Sequence, residues 1–339
     1  MQTTLLAIAI AIILALVAAL AGPYFVDWND YRAAIEAQAS RIAGATVRVH
    51  GPIEVRLLPI PSIAAGQVEM AGVAAGDARE LKIEFAFAPL LRGEWRATEV
   101  RLVGAALVLT IDERGRIEGT PPFANLSPQT VSVERLSIED GRMTFLDRSG
   151  GVRAAAEKIW FMGELKSLLG PLKGEGGFAI GGERYGFRLN VSRPEEAGAK
   201  TRLLIDPADS APSFDIDGLV RFEAGVPLFE GKITAARAEA AAEPNAAGAG
   251  WRATASHVRA NPSKAVSEDF ELQYGPDDRA VKLTGVAELS LWEKPAFEAI
   301  LSSRRADLDK LLAPADGRRL LPVEAVRARV RERGVDLVL

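Results

Sequence analysis

The stretch "GPIEVRLLPIPSI", residues 51–63, is the part of the sequence that decides the fold class. Ile53, Val55 and Leu57 occupy alternate positions between charged residues, which is the pattern of a strand with one buried face. Pro59 and Pro61 follow, and proline cannot continue a ladder of backbone hydrogen bonds. The stretch therefore predicts a short strand with one apolar face that ends at the prolines.

The same two-residue period continues outward through most of the chain. Further alternating segments lie at 47–49, 81–87, 100–102, 107–111, 131–133, 185–191, 203–205, 270–274 and 289–291. Turn-forming residues at 112–115, 139–141 and 275–278 predict hairpins between such segments. Strands with one apolar and one polar face, joined by short turns, are typical of an antiparallel sheet. The chain is therefore predicted to be mainly β, with a few short helices.

Composition removes several classes of function. The chain has 339 residues, of which 48% are hydrophobic and 25% charged, as in a folded protein. The net charge of -4 argues against a nucleic-acid partner. There is no Cys, and the two His are His50 and His257, so disulfides, thiolate chemistry and Cys/His zinc sites are excluded. No catalytic motif is present, and we expect neither an enzyme nor a cofactor.

The first residues predict a membrane anchor. Residues 5–21 form an unbroken apolar run, which extended to Gly22 spans roughly 27 Å as a helix. The alternative is a cleaved signal peptide, because residues 19–21 have the small-x-small form. The first basic residues follow the run, so the positive-inside rule alone would keep the body in the cytoplasm, although a large domain can override it. The predicted anchor positions are Leu5, Ile8, Ile12, Leu16, Leu20, Tyr24 and Trp28.

The sequence predicts five successive segments. A transmembrane anchor at 1–26 is followed by an amphipathic linking helix at 27–45, with Tyr31, Ile35, Ala39 and Ile42 on one stripe. A β-sheet domain at 46–235, an Ala-rich linker or surface loop at 236–250, and a continuation of the sheet with C-terminal helices at 251–339 complete the chain. Few helices are available to cover the strands, so a second sheet, closure of the sheet, or a molecule other than protein must cover their apolar faces.

The order of these features resembles the AsmA family of Gram-negative envelope proteins. The resemblance lies in the anchor, then "GATVRVHGPIEVRLLPIPSIAAGQVEM" at 44–70 and "FAFAPLLRGEWRATEVRLVGAALVLTIDERGR" at 85–116, and continues in "VSVERLSIEDGRMTFLDRSGG" at 131–151. The chain departs from the family at 117–120, where "IEGT" stands in place of Asn-Trp. It also looks short, so we expect either a segment of a longer protein or a minimal member.

The resemblance implies a single-pass inner-membrane protein whose body lies in the periplasm. It implies an elongated, curled antiparallel sheet that forms an open hydrophobic groove, as in the related bridge-like lipid transfer proteins. The implied partners are the inner membrane and phospholipid, with an outer-membrane or periplasmic protein as a further partner.

Two functions remain open from the sequence. The first is phospholipid binding and movement between the two membranes, with Glu54, Arg56, Lys82, Glu84 and Arg101 facing water. The alternative is a scaffold or assembly factor for outer-membrane protein biogenesis, with an ordinary packed β-sandwich. The candidate residues of the lipid groove are Ile53, Val55, Leu57, Ile83, Phe85, Phe87, Leu107, Leu109 and Ile111.

Overall fold

The computed structural model of the chain is mainly β. It describes residues 10–11, 14, 17–18, 20–43, 45–71, 75–92, 96–117, 132–147, 151–165, 170–208, 211–237, 250–275, 280–291 and 296–303. Two α-helices are α1 (Arg32–Ala43) and α2 (Phe87–Leu91), and short 3-10 helices cover Gly22–Phe25 and Trp28–Tyr31. The strands are β1 (Thr46–Val49), β2 (Ile53–Arg56), β3 (Ser62–Ala71), β4 (Ala75–Phe85), β5 (Arg96–Val103), β6 (Ala106–Ile111), β7 (Ser132–Asp147), β8 (Val152–Leu165), β9 (Leu172–Ile180), β10 (Glu183–Val191), β11 (Ala199–Pro207), β12 (Ser213–Glu223), β13 (Val226–Arg237), β14 (Trp251–Asn261), β15 (Lys264–Tyr274), β16 (Val281–Ser290) and β17 (Ala296–Ser302).

All 17 described strands belong to one sheet. β1 and β2 pair with the two halves of β3, and β5 and β6 pair with the two halves of β7, so each of these couples shares one position in the sheet. From β7 to β17 every strand pairs with the next strand in sequence. The 17 strands therefore occupy 15 positions, and the sheet is roughly 65 Å long along its hydrogen bonds at about 4.8 Å per strand.

The prediction of a wholly antiparallel sheet is wrong at one position. β5 and β6 run parallel to β7, with Arg96 opposite Ser132 at one end and Ile111 opposite Asp147 at the other. A parallel pair needs a crossover connection, and here residues 112–131 lie between β6 and β7. The period of two could not reveal this, because it is the same in parallel and antiparallel strands.

The hairpin predicted at residues 139–141 is also wrong. These residues lie inside β7, where the four residues from Ile138 to Gly141 oppose the three residues of β8 from Ile159 to Phe161. Asp140 has a φ of 54°, which Asp tolerates better than most residues. The turn-forming residues are therefore taken up in a bulge, which bends a strand without reversing it. The turn at 112–115 is confirmed, because Ile117 returns to bridge Ile111 in the antiparallel sense.

Residues with a left-handed backbone conformation form a line across the first strands of the sheet. Gln67 in β3, Gly104 after β5, Asp140 in β7 and Lys158 in β8 have φ values of 49°, 63°, 54° and 51°. Because Glu80 pairs with Val103 and Asp77 with Ala106, Arg79 of β4 lies opposite Gly104 in the same line. We call this line the crease.

Helix α1 covers the outer edge of β1. The Ser40 hydroxyl accepts a hydrogen bond from the Val47 N–H at 2.8 Å, and the Glu36 carboxylate accepts one from the Val49 N–H at 2.7 Å. The Arg32 guanidinium donates to the Val49 carbonyl. An edge strand exposes unpaired backbone groups that invite pairing with other chains, so these polar side chains satisfy the edge.

The hydrophobic cluster beneath α1 is small. Trp28, Ile35 and Ala39 pack against buried side chains of β1–β3. The positions of Ile35 and Ala39 agree with the predicted amphipathic stripe. Tyr31 is 55% exposed, so Trp28 takes the place on the stripe that was predicted for Tyr31. The buried members of the cluster are Val47, Val49, Ile53, Ala65 and Val68.

Several predictions fall on residues that the structure does not describe. Leu5, Ile8, Ile12 and Leu16 of the predicted anchor lie outside the described residues, as do the predicted helices after residue 303. In the part of the chain that is described, no helix has the length and apolar character needed to cross a bilayer. Of the predicted linker, 238–249 lie outside the described residues, and β13 and β14 on either side of it pair directly.

Candidate functional site

The strand registers align apolar residues across the whole sheet. Directly opposed residues of neighbouring strands lie on the same face, so successive partners trace one line across that face. The line that starts at Val55 contains only apolar residues and glycine from β2 to β17, and we call it the Val55 line. Its members in order are Val55, Ile63, Ile83, Val100, Leu136, Gly163, Gly174, Leu189, Leu203, Ile216, Ile233, Ala255, Phe270, Gly285 and Leu301.

A second apolar line runs beside the first on the same face. It starts at Ile53 and reaches β16, and we call it the Ile53 line. Its members are Ile53, Ala65, Leu81, Leu102, Ile138, Phe161, Gly176, Phe187, Ile205, Phe214, Ala235, Ala253, Leu272 and Leu283. The two lines together define the apolar face of the sheet.

The line between them points to the opposite face and is mostly polar. It starts at Glu54, and we call it the Glu54 line; the face it belongs to is the polar face. Its members are Glu54, Ala64, Lys82, Arg101, Ser137, Met162, Glu175, Arg188, Leu204, Asp215, Thr234, Thr254, Glu271, Thr284 and Ser302. The alternation seen in residues 53–55 is thus kept through every position of the sheet.

Most of the apolar face is only half-buried, although Ile53, Ala65 and Phe161 on the Ile53 line are buried. Every apolar side chain on the Val55 line lies in the intermediate range of exposure, and none is buried. Among the described residues, no large side chain has less than 2% of its surface exposed. Interiors of proteins are normally close-packed, and beyond the cluster under α1 the described residues do not pack this face to that density. The described strands form one sheet, whereas the alternative hypothesis expects two packed sheets.

Aromatic rings lie flat across glycines in the middle of the apolar face. A Cβ added at Gly174 would lie 2.5 Å from Cζ of Phe161, and one added at Gly176 would lie 2.6 Å from Cζ of Phe187. The two rings stack with centroids 6.0 Å apart and planes 7° from parallel. These residues were missed in the sequence, where the glycines of 174–182 look like a flexible turn. The signal that could have found them is that 174 and 176 share one face of an alternating strand.

The predicted groove residues divide into four groups. Ile53, Val55 and Ile83 lie on the two apolar lines. Phe85 ends β4 opposite Ala97 and is half-buried. Leu57 and Phe87 lie outside the strands and are 39% and 49% exposed. The remaining candidates lie on β6 beyond the crease, half-buried and paired with β7, and they are Leu107, Leu109 and Ile111.

The charged residues of the polar face pair with one another. Lys82 Nζ lies 2.7 Å from Glu84 Oε1, and Arg101 Nη2 lies 2.7 Å from Glu139 Oε2. The hydrogen bond and the charge of Glu139 raise the pKa of Arg101 above its ordinary value. An open depression of about 250 Å³ on this face is lined by Glu54, Arg56, Ser62, Ala64, Glu80, Lys82 and Arg101. Its lining contains charged side chains of both signs, three basic and two acidic.

The loop after β6, of which residues 112–117 are described and which we call the β6 loop, contacts turns that are distant in the sheet. The N–H of Ile117 donates to the carbonyl of Gly225 in the β12–β13 turn at 3.3 Å. A Cβ added at Gly115 would lie 3.2 Å from Cδ of Pro262 in the β14–β15 turn. The β6 loop therefore joins the fourth position of the sheet to positions in its second half.

Asp112 gives the β6 loop its shape. Burial favours the neutral form of its carboxyl, but hydrogen bonds from the Arg116 N–H at 2.8 Å, the Arg116 guanidinium at 2.8 Å and the Arg114 N–H at 2.9 Å outweigh burial. The pKa of Asp112 is consequently lowered from its ordinary value. The residue thus acts as an ionised cap for a turn.

Among the described residues, no group of three or more His, Cys, Asp or Glu side chains is arranged to hold a metal ion. His50 lies 3.0 Å from Glu69, and His257 lies 2.9 Å from Asp269. Both pairs are exposed to solvent, so they are surface hydrogen bonds.

Comparison with known proteins gives one match. Residues 1–129 match the AsmA family, which confirms the resemblance over that range. No curated protein and no solved structure matches the chain.

Proposed function

We propose that this chain, in which residues 1–129 are an AsmA family domain, is an inner-membrane-anchored envelope protein that binds phospholipid acyl chains along its apolar face. In this proposal the body lies in the periplasm and helps move phospholipid between the inner and outer membranes. The anchor is the apolar segment at residues 1–26.

One observation carries the proposal. The Val55 line stays apolar from β2 to β17 while its apolar side chains are only half-buried. A monomeric soluble protein rarely leaves so long an apolar surface uncovered, and such surfaces mark sites of ligand or membrane contact. The line runs across the strands, so a ligand that follows it moves along the full length of the sheet.

Hydrocarbon is the ligand class that fits this surface. The two apolar lines contain no hydrogen-bonding side chain, so they favour no polar ligand. Each buried CH₂ contributes about 0.8 kcal/mol, and an acyl chain can recover through this contact much of what it loses on leaving a bilayer. The headgroup would stay outside the apolar face, in water.

The curled, groove-like form of the sheet belongs to the same proposal. Bulges bend strands, and of the four residues with positive φ in the crease, Asp140 and Lys158 lie at bulges between β7 and β8. The contact between the β6 loop and the β12–β13 turn requires the sheet to bend back toward itself. A trough of this kind would shield acyl chains better than a flat sheet.

The decisive experiment compares two neighbouring leucines of β11. Leu203 lies on the Val55 line and Leu204 on the Glu54 line, and both are half-buried. The full chain and the variants Leu203→Asp and Leu204→Asp are purified, their bound phospholipid is quantified by mass spectrometry, and transfer of a fluorescent phospholipid between vesicles is measured. We expect Leu203→Asp to lose both several-fold and Leu204→Asp to retain them.

Two results would overturn the proposal. One is a full chain that carries no phospholipid and transfers none above the rate without protein. The other is an equal effect of the two substitutions while circular dichroism shows that both variants are folded. A chain without lipid whose loss impairs assembly of outer-membrane proteins would support the scaffold hypothesis instead.

A further inference from the structure

Exposed apolar loops lie at the end of the sheet where β2 and β4 finish. The β2–β3 loop, residues 57–61, and helix α2 lie side by side there, since the Phe85 N–H donates to the Pro61 carbonyl at 2.8 Å. We call this the proximal end. Leu57 and Ile60 in the loop are 39% and 49% exposed, and Phe87 and Leu91 in α2 are 49% and 73% exposed. These stretches, "LLPIP" and "FAPLL", contain no charged residue.

The N-terminal segment arrives at the same end. Helix α1 runs antiparallel to β1, because Ser40 bonds Val47 while Glu36 bonds Val49. Its first turn therefore lies at the end of β1, where Arg32 bonds the Val49 carbonyl, and the preceding 3-10 helix, Trp28–Tyr31, contacts β2. Phe25 and Val26, just before that helix, are 88% and 40% exposed. Three separate elements thus present apolar side chains at the proximal end.

The helical residues that come before Gly22 extend this surface. Ile10, Leu14, Val17 and Leu20 are between 50% and 63% exposed. An apolar helix of this kind needs an apolar environment around it. Its continuity with the proximal end indicates that the same environment reaches the loops.

We propose that the proximal end sits in the surface of a phospholipid bilayer, with Leu57, Ile60, Phe87 and Leu91 inserted among the lipids beside the N-terminal segment. The proposal rests on the membrane anchoring put forward above. Amphipathic elements that enter a bilayer surface do so by burying apolar side chains below the headgroups. Arg56, 58% exposed at the end of β2, lies where it can meet anionic headgroups. This placement sets the first strands of the apolar face directly at the membrane.

The absence of Cys from the sequence makes the test direct. Single-cysteine variants Ile60→Cys, Leu91→Cys and Met162→Cys of the full chain are labelled with an environment-sensitive fluorophore. They are placed in nanodiscs of phosphatidylethanolamine and phosphatidylglycerol that contain lipids with a quencher near the headgroup. Met162 is the matched control, because it is apolar and 61% exposed but lies on the polar face.

We expect the labels at 60 and 91 to shift to the blue and to be quenched several-fold more than the label at 162. Labels at 60 and 91 that stay in water overturn the inference. A blue shift without quenching by lipid also overturns it, because it indicates cover by protein. Phospholipid transfer is measured with the same variants: transfer without insertion would leave the proposed function standing, and insertion without transfer would reject that function alone.

Discussion

At the scale of single residues, the crease depends on Gly104. Its φ is 63°, a region that L-residues with a Cβ rarely adopt. The Arg79 guanidinium lies over it, and a Cβ added at Gly104 would lie 2.1 Å from Arg79 Nε. Arg79 Nη2 is held there by Asp140 Oδ2 at 2.6 Å. A side chain at 104 would therefore force both a strained backbone and the loss of this ion pair.

We expect Gly104→Val to lower the free energy of unfolding by about 2–4 kcal/mol, from strain in the left-handed region and displacement of Arg79. The matched control is Gly181→Val in the β9–β10 turn, which has a φ of 60° and nothing within 4 Å of an added Cβ. Because only the strain acts there, its loss should be smaller, about 1–2 kcal/mol. Urea unfolding measures both, and equal losses would show that Arg79 contributes nothing.

The sequence predicted the placement of residues that depends on one strand alone. It did not predict placements that depend on contacts between strands. The polar positions Glu54, Lys82 and Arg101 follow from alternation alone, and the structure puts them on one face. Alternation places Gly174 and Gly176 on one face, but it does not identify the rings that need the space, because these come from Phe161 and Phe187 in other strands. Local pattern carries no information on such a cross-strand contact.

At the scale of elements, α1 protects the edge strand β1. Its Ser40 and Glu36 side chains accept hydrogen bonds from the Val47 and Val49 N–H groups. The helix itself was predicted from its apolar stripe, and Asp27 accepts a hydrogen bond from the Asn29 N–H at 3.0 Å at the start of the 3-10 helix that precedes α1. Its polar contacts with β1 were not predicted, because they depend on which edge of the strand has no neighbouring strand.

The double substitution Ser40→Ala and Glu36→Ala should lower the free energy of unfolding by about 2–3 kcal/mol, because each leaves a partly buried N–H without its acceptor. Amide hydrogen exchange should accelerate at Val47 and Val49. Arg41→Ala, an exposed change on the same helix, should alter neither. If exchange at Val47 and Val49 is unchanged in the double variant, α1 does not cap the strand.

At the scale of the whole molecule, the sheet returns on itself. The end of β6 and the β12–β13 turn lie at opposite ends of the strands. Nevertheless, the Ile117 N–H donates a hydrogen bond to the Gly225 carbonyl. Neighbouring strands rotate by about 20–25°, so over the six or more positions between them the rotation reaches roughly 120° or more and can bring opposite ends together. The sequence predicted strands and faces but not this contact, which depends on accumulated twist.

A cross-linking experiment tests the contact. In the full chain, the pair Ile117→Cys and Ala224→Cys should join efficiently with a short bis-maleimide, because residues 117 and 225 share a hydrogen bond. The control pair is Ile117→Cys with Ala208→Cys, since Ala208 lies at the other end of β12, roughly 35 Å from the turn along the strand. Equal yields for the two pairs would contradict the returning sheet.

The strict pairing of each strand with its successor from β7 to β17 has a consequence for how such a protein can change in evolution. Adding or removing one strand would reverse the direction of every later strand. A one-residue shift in pairing register would move apolar side chains to the polar face. A duplicated or deleted pair of strands does neither. The unit of growth is therefore the hairpin, and each one gained would lengthen the path by about 10 Å.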